Sequence, residues 1–130
     1  MKTYWDSSAL IEILHTPSRR TAFSPKFDVT RTYTLAEVYS TLTKGVNYRY
    51  PPDDAAKMIE GLAEDLDFIQ LSKGDTLATI KEARAQGVRG ARIHDLMHAT
   101  AARKCGASTL MTLDLAGFTG LAKGLKIETP

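Results

Sequence analysis

The stretch TYWDSSALIEIL, residues 3–14, contains the change of pattern that decides the fold. Its first three residues are strand formers, whereas the apolar residues from Leu10 onwards recur at helical spacing. Ser7 and Ser8 stand where side chains cap a helix, and Asp6 lies between the two patterns. The stretch therefore predicts a short strand followed directly by a helix, with a carboxylate at the junction.

The same alternation of short strands and longer helices continues along the chain. Further strands are predicted at residues 27–30, 67–71, 107–113 and 125–129. Further helices are predicted at residues 32–45, 51–66, 75–87 and 91–106. In the helix at 75–87, Asp75 is expected to be the N-cap and Gly87 to end the helix. This order predicts a three-layer α/β/α fold with a parallel sheet of four or five strands between helices. Residues 1–130 are expected to form one domain.

Composition limits the classes of function. The hydrophobic fraction of 43% and the charged fraction of 25% are typical of a soluble globular protein. No apolar run approaches the roughly 18 residues of a membrane span, and no secretory signal is visible. The single cysteine, Cys105, excludes an intramolecular disulfide, so the cytoplasm is the expected compartment. A net charge of +2 is too small to indicate nucleic-acid binding by itself.

Acidic residues follow two of the predicted strands. Asp6 comes after the first strand and Asp114 after the strand TLMTL, and ligands of open parallel sheets bind at this edge. Asp95 begins the helix that leads into the second of these strands, and Glu37 lies away from the apolar stripe of its own helix. Each residue also has a structural interpretation, as a helix cap, a turn residue or a surface charge.

Four blocks carry a resemblance to a known family: YWDSSAL, LAEVYSTL, IHDLMHATAA and MTLDLAGF, in that order. They resemble the signature blocks of the PIN domain, and in particular of the VapC-type toxins of toxin–antitoxin pairs. The resemblance covers almost the whole chain. It implies the same parallel sheet between helices, and it implies ribonuclease activity.

The resemblance also implies a metal site. The carboxylates expected to converge on Mg²⁺ or Mn²⁺ are Asp6, Glu37, Asp95 and Asp114. Ser8 and Thr112 match hydroxyl residues that often accompany the first and last aspartates in the family. Many relatives carry an Asp or Asn where this chain has Gly117, which puts a second metal position in doubt.

Electrostatics gives a reason for the metal. Two unit charges about 4 Å apart repel by roughly 4 kcal/mol at an effective dielectric of 20, so clustered carboxylates oppose folding unless a cation or protons neutralise them. We expect Asp6 and Asp95 to bind the ion directly, and Asp114 directly or through water. Glu37 would hold or activate the water that hydrolyses an RNA phosphodiester.

Other residues are candidates for contact with RNA. Arg89 and Arg92 precede Asp95 and could bind phosphates, although a solvated loop is the slightly favoured explanation. Four tyrosines could stack on unpaired bases: Tyr33, Tyr39, Tyr48 and Tyr50. Of these, Tyr39 lies on an apolar stripe and is expected in the core. The pair His94 and His98 shows no third zinc ligand, and His98 is expected to pack locally.

Partners follow from the resemblance, namely an RNA substrate, a cognate antitoxin protein and a second copy in a homodimer. Two other functions stay open on the residues alone. The chain could be a PIN-like module that binds RNA or protein without cutting. It could also be a phosphatase-like protein with Asp6 as phosphoacceptor, although Ser8 stands where such phosphatases have a second aspartate.

Overall fold

The computed structural model of the chain describes residues 1–16 and 23–130, and within these ranges the predicted architecture is confirmed. The strands are β1 (Thr3–Trp5), β2 (Asp28–Arg31), β3 (Asp67–Ile69), β4 (Thr109–Met111) and β5 (Lys126–Glu128). The helices are α1 (Ser7–His15), α2 (Thr32–Thr43), α3 (Pro52–Glu64), α4 (Lys73–Gln86) and α5 (Arg92–Lys104), with a 3₁₀ turn at Ala116–Phe118. None of these helices combines the length and apolar character needed to cross a membrane.

The five strands form one parallel sheet in the order β3-β2-β1-β4-β5. The chain builds outward from β1 through β2 to β3, and then crosses back to add β4 and β5 on the other side. The order therefore reverses between β1 and β4, where Trp5 pairs with Met111. In open parallel sheets, the crevice outside the carboxyl ends of such a pair of strands is where ligands bind.

Both faces of the sheet are covered, as alternation along β1 shows. Tyr4 is fully buried on the face that α5 covers, whereas Trp5 is buried on the opposite face. The first face contains Ala99, Ala101, Ala102, Leu110 and Phe118, and the second contains Leu10, Ile13, Val38, Leu42 and Leu62. Alanines on α5 allow that helix to lie close to the strands, because their side chains add little thickness between the layers.

Helix α1 begins one residue earlier than the serines suggested. The N-cap is Asp6, whose Oδ1 accepts a hydrogen bond from the backbone N–H of Ala9 at 2.9 Å. Ser7 and Ser8, which were expected to cap the helix, lie in its first turn instead. A carboxylate at this position satisfies an orphan N–H and also interacts favourably with the helix dipole.

Helix α4 shows a similar shift. Ser72 is the N-cap, and its hydroxyl accepts from the N–H of Asp75 at 3.0 Å. The Asp75 carboxylate accepts in return from the N–H of Ser72 at 2.8 Å, so the residue predicted as the cap is the third member of a capping box. Gly87 ends the helix at φ 68°, as predicted from its ability to adopt a left-handed backbone.

The close packing of α5 gives a stability prediction. Ala102→Leu should lower the free energy of unfolding by about 1–3 kcal/mol, because Ala102 is fully buried and extra methylenes must displace neighbours. Ala78→Leu, on the exposed side of α4, is the matched control and should change it by less than about 0.5 kcal/mol. Urea unfolding measures both variants. Equal effects would show that α5 is not tightly packed on the sheet.

Candidate active site

Three aspartates meet at the carboxyl edge of the sheet where the strand order reverses. Asp6 follows β1, Asp114 follows β4, and Asp95 lies in the first turn of α5. Asp6 is only 5% exposed, Asp95 is partly buried and Asp114 is exposed, so the group spans the wall and the mouth of a crevice.

The charges of these aspartates act on one another. Burial raises the pKa of Asp95, and the negative charges of Asp114 and Asp6 raise it further. His98 and Arg92 act in the opposite direction without cancelling the increase. The ionised form of Asp95 is therefore costly, because it is both desolvated and repelled.

The carboxylates of Asp95 and Asp114 both lie close to the Cα atom of Gly117. A Cβ atom added to Gly117 would lie 2.9 Å from Oδ2 of Asp95 and 2.9 Å from Cγ of Asp114. The backbone N–H of Gly117 donates to Oδ1 of Asp114 at 3.0 Å, which fixes that side chain over the 3₁₀ turn. Gly117 thus provides the space in which the carboxylates of Asp95 and Asp114 approach each other.

A chain of hydroxyl groups joins the two strand ends. The Ser8 hydroxyl donates to Oδ1 of Asp6 at 2.7 Å and accepts from the N–H of Leu113 at 2.9 Å. Oγ of Ser8 lies 3.2 Å from Oγ1 of Thr112, and Thr112 accepts from the N–H of Asp114 at 3.0 Å. These bonds set the position of Asp6 relative to Asp114.

The bonds to Asp6 also leave one of its oxygens available. Within the described residues, the hydrogen bonds to this carboxylate all reach Oδ1. Oδ2 therefore remains for a ligand in the crevice.

Glu37 reaches the cluster through a histidine. Oε1 of Glu37 lies 3.0 Å from Nε2 of His98, and Oη of Tyr4 lies 2.7 Å from Nδ1 of the same ring. Tyr4 and His98 are buried, and burial raises the pKa of Tyr4 far above its usual range, so its hydroxyl stays protonated. Glu37 and His98 are near enough for an ion pair when the ring is protonated, and Oε1 of Glu37 is buried.

The donor atoms are near one another but are not arranged as a preformed metal site. In residues 1–16 and 23–130, no group of three or more His, Cys, Asp or Glu side chains is positioned to hold a metal ion. The types of donor nevertheless suit a hard divalent cation, which takes carboxylate oxygens. Burial, followed by the charges of Asp114 and Asp6, raises the pKa of Asp95, so a bound cation would stabilise its ionised form.

The basic residues proposed for RNA lie at the surface. Arg89 and Arg92 are both exposed. Nη2 of Arg92 donates to the carbonyl of Thr119 at 3.1 Å, so this side chain ties α5 to the segment after the 3₁₀ turn.

Three of the four tyrosines proposed to stack on bases lie away from the aspartates or on the outer side of α2. Tyr39, which was expected in the core, is 40% exposed, because the inward side of α2 carries Val38 and Leu42 instead. Tyr48 and Tyr50 pack around His15, at the end of α1 remote from Asp6. Nine residues of helix span about 13 Å, so that pair lies away from the aspartates.

Comparison with solved structures identifies the fold. The DNA-bound VapBC of Salmonella typhimurium matches with a TM-score of 0.74 and 19% identity, over 99% of this chain and 98% of that chain. The VapBC-1 structure of nontypeable Haemophilus influenzae matches with a TM-score of 0.67 and 20% identity, over 99% and 98%. The chain has a PIN-like VapC fold.

A third VapC structure belongs to a protein described as a toxin that cleaves the sarcin–ricin loop. VapC20 of Mycobacterium tuberculosis matches with a TM-score of 0.66 and 12% identity, over 92% of this chain and 95% of that chain. No protein-family model matches the chain, and comparison with curated proteins finds no significant match. The likeness to VapC structures is thus one of three-dimensional fold at low sequence identity.

Sequence reasoning missed the contacts of His98 with Tyr4 and Glu37 in this VapC fold. Tyr4 and His98 are 94 positions apart, so local periodicity carries no trace of their hydrogen bond. One signal was available, because Asp95 and His98 are three positions apart and share a side of α5. Gly117 was noted only as a departure from the family, whereas its missing side chain makes room for two carboxylates.

The hydroxyl chain gives a prediction for Ser8. Ser8→Ala should lower the free energy of unfolding by about 1–3 kcal/mol, because Asp6 and the N–H of Leu113 both lose their hydroxyl partner. Ser7→Ala is the matched control, since its hydroxyl takes no part in this chain. Chemical denaturation of the two variants measures the difference. A Ser8→Ala protein as stable as the control would contradict the role given to the hydroxyl.

The repulsion at Asp95 predicts a gain of stability when its charge is removed. Folding raises the pKa of Asp95, so the cost of its charge is absent below the unfolded-state pKa and complete above the folded-state pKa. In EDTA at neutral pH, Asp95→Asn should therefore unfold at a higher temperature than the original chain, and Asp54→Asn, at an exposed position, should not.

The advantage of Asp95→Asn should shrink as pH falls and the native carboxyl takes up its proton. Thermal unfolding across this pH range makes the measurement. A lower melting temperature for Asp95→Asn at neutral pH would show that the cluster does not strain the fold.

Proposed function

We propose that this chain is a divalent-metal-dependent endoribonuclease of the PIN-domain family, acting as the toxin of a toxin–antitoxin pair. The observation that carries the proposal is the meeting of Asp6, Asp95 and Asp114 where the strand order reverses. Asp6 caps α1 and Asp114 accepts from Gly117, but the charge of Asp95 is partly buried beside both of them, which opposes folding. A costly cluster at a ligand-binding edge is typical of a functional site.

The metal is assigned to these residues by their chemistry. Oδ2 of Asp6 and the carboxylates of Asp95 and Asp114 would hold Mg²⁺ or Mn²⁺ after small side-chain rotations, since the three groups are close but do not yet share one point. When bound, the ion would offset negative charge on the scissile phosphate and lower the pKa of an attacking water. The Gly117 position in this chain offers no further carboxylate for a second ion.

The protein's own residues supply position. Ser8 and the N–H of Ala9 hold Asp6, and the N–H of Gly117 holds Asp114, so two carboxylates are oriented before any ligand arrives. Glu37 contacts His98 through Oε1, and with its other oxygen it would accept a proton from, or orient, a water molecule. His98 keeps Glu37 near the aspartates through its contact at 3.0 Å.

The structural neighbours support the choice of substrate and partner. VapC20, which shares the fold, is described as cleaving the sarcin–ricin loop, so the fold supports cleavage of RNA. Several of the other matched structures are VapBC toxin–antitoxin proteins. We therefore propose RNA as substrate, a cognate antitoxin as protein partner, a homodimer as the assembly and the cytoplasm as the place of action.

Removal of the central carboxylate tests the proposal. With Mg²⁺ or Mn²⁺, the original chain should cleave a labelled RNA, and EDTA should stop it. Asp95→Asn should lower the rate roughly 100-fold or more, because charge stabilisation by the ion is worth several kcal/mol. Asp54→Asn, at an exposed position on α3, should cleave at the original rate.

Two outcomes would contradict the proposal. If Asp95→Asn cleaved RNA at the original rate, Asp95 and the proposed metal site would have no role in the reaction. RNA binding that is unaffected by EDTA, with no cleavage under any metal condition, would instead favour a PIN-like binding module.

A further inference from the structure

A cavity of about 230 Å³ opens between the start of α2 and the helices α4 and α5. Its lining residues are Arg31, Tyr33, Thr76, Ile80, Ile93, His94 and Met97. The proposed mechanism uses none of them.

Two walls of this cavity adjoin the aspartate cluster. Arg31 is the last residue of β2 and follows Val29 by two residues, as Asp6 follows Tyr4, the partner of Val29, so both residues lie at the same edge of the sheet. On α5, His94 directly precedes Asp95. The cavity and the aspartates therefore lie side by side at this edge of the sheet, so one extended ligand can contact both.

The walls combine an aromatic platform with an apolar floor. Tyr33 is 53% exposed, and Cζ of Arg31 lies 5.4 Å from the centre of its ring. Ile80 exposes half of its side chain beside it, and Ile93 and Met97 complete the apolar surface. Exposed aromatic rings next to arginine are the surfaces on which unpaired bases stack.

Charge distinguishes between occupants of the cavity. The lining residues, all of them in the described part of the chain, include no carboxylate, whereas Arg31 is cationic. This composition favours a ligand that carries phosphate next to a flat ring. It disfavours a basic peptide, which the aspartates would attract but this cavity would repel.

We propose that the cavity binds one unpaired nucleobase of single-stranded RNA, next to the phosphate at the aspartates. The inference rests on the proposed function for its choice of RNA, and it adds that the substrate must be unpaired at this nucleotide. Tyr33 stacks on the base, and Arg31 faces the adjoining phosphate. A base inside a duplex cannot enter the cavity, because it is already stacked and paired on both sides.

Binding measurements test the pocket apart from cleavage. The full chain carrying Asp95→Asn binds a fluorescein-labelled single-stranded RNA decamer, and anisotropy gives its Kd. Adding Tyr33→Ala should weaken binding about 5- to 150-fold, the equivalent of about 1–3 kcal/mol of stacking. Tyr33→Phe, which keeps the ring, should stay within about twofold.

Two controls make the test specific. Tyr39→Ala removes a 40% exposed tyrosine from the same helix and should leave Kd within about twofold. Affinity for a blunt RNA duplex should not change in Tyr33→Ala, because no base is free to enter.

The inference is overturned if Tyr33→Ala binds the decamer as tightly as its parent, or if it loses duplex affinity equally. It is also overturned if Tyr33→Ala changes only the oligomeric state in sedimentation, which would make the cavity a contact between copies. Since binding is measured without cleavage, failure here leaves the nuclease proposal standing. If the original chain binds the decamer but does not cleave RNA, only the nuclease proposal is contradicted.

Discussion

Repulsion among carboxylates at the end of β1 and β4 is the constraint on which the rest of the site depends. Burial of Asp95 near Asp6 and Asp114 raises the cost of its negative charge. Such a cluster persists only if surrounding bonds hold its members, because each would otherwise turn to solvent. The Ser8 hydroxyl and the N–H groups of Ala9 and Gly117 provide those bonds.

The sheet topology explains why these charges meet at all. Asp6 and Asp114 are distant in the chain, yet β1 and β4 are neighbours because the strand order reverses between them. The packed alanines of α5 bring that helix close to the sheet, so its first turn carries Asp95 to the same edge. Core packing and the geometry of the site are therefore linked through the position of α5.

Much of the fold could be predicted from local pattern, because the strands and helices have different apolar periods and glycines mark helix ends. The caps were less predictable. Asp6 and Ser72 cap their helices, whereas the nearby candidates Ser8 and Asp75 serve other bonds, and local sequence does not distinguish such alternatives. Tyr39 was placed wrongly because its spacing fits the apolar stripe, although Val38 and Leu42 fill the space beneath α2.

Asp6 and Asp114 were predictable from their positions after strands, and Asp95 joined them through the family resemblance. Their surroundings were not, since these depend on contacts between distant residues. The bond from Tyr4 to His98 and the approach of His98 to Glu37 arise only when β1, α2 and α5 are assembled. Likewise, the space at Gly117 has meaning only beside the folded positions of Asp95 and Asp114.

A crystal of the full chain grown with Mn²⁺ and measured for anomalous scattering tests the central claim most directly. The account predicts one strong peak within direct coordination distance of oxygens from at least two of Asp6, Asp95 and Asp114. Mn²⁺ bound only elsewhere, or these carboxylates left without an ion at saturating Mn²⁺, would contradict it.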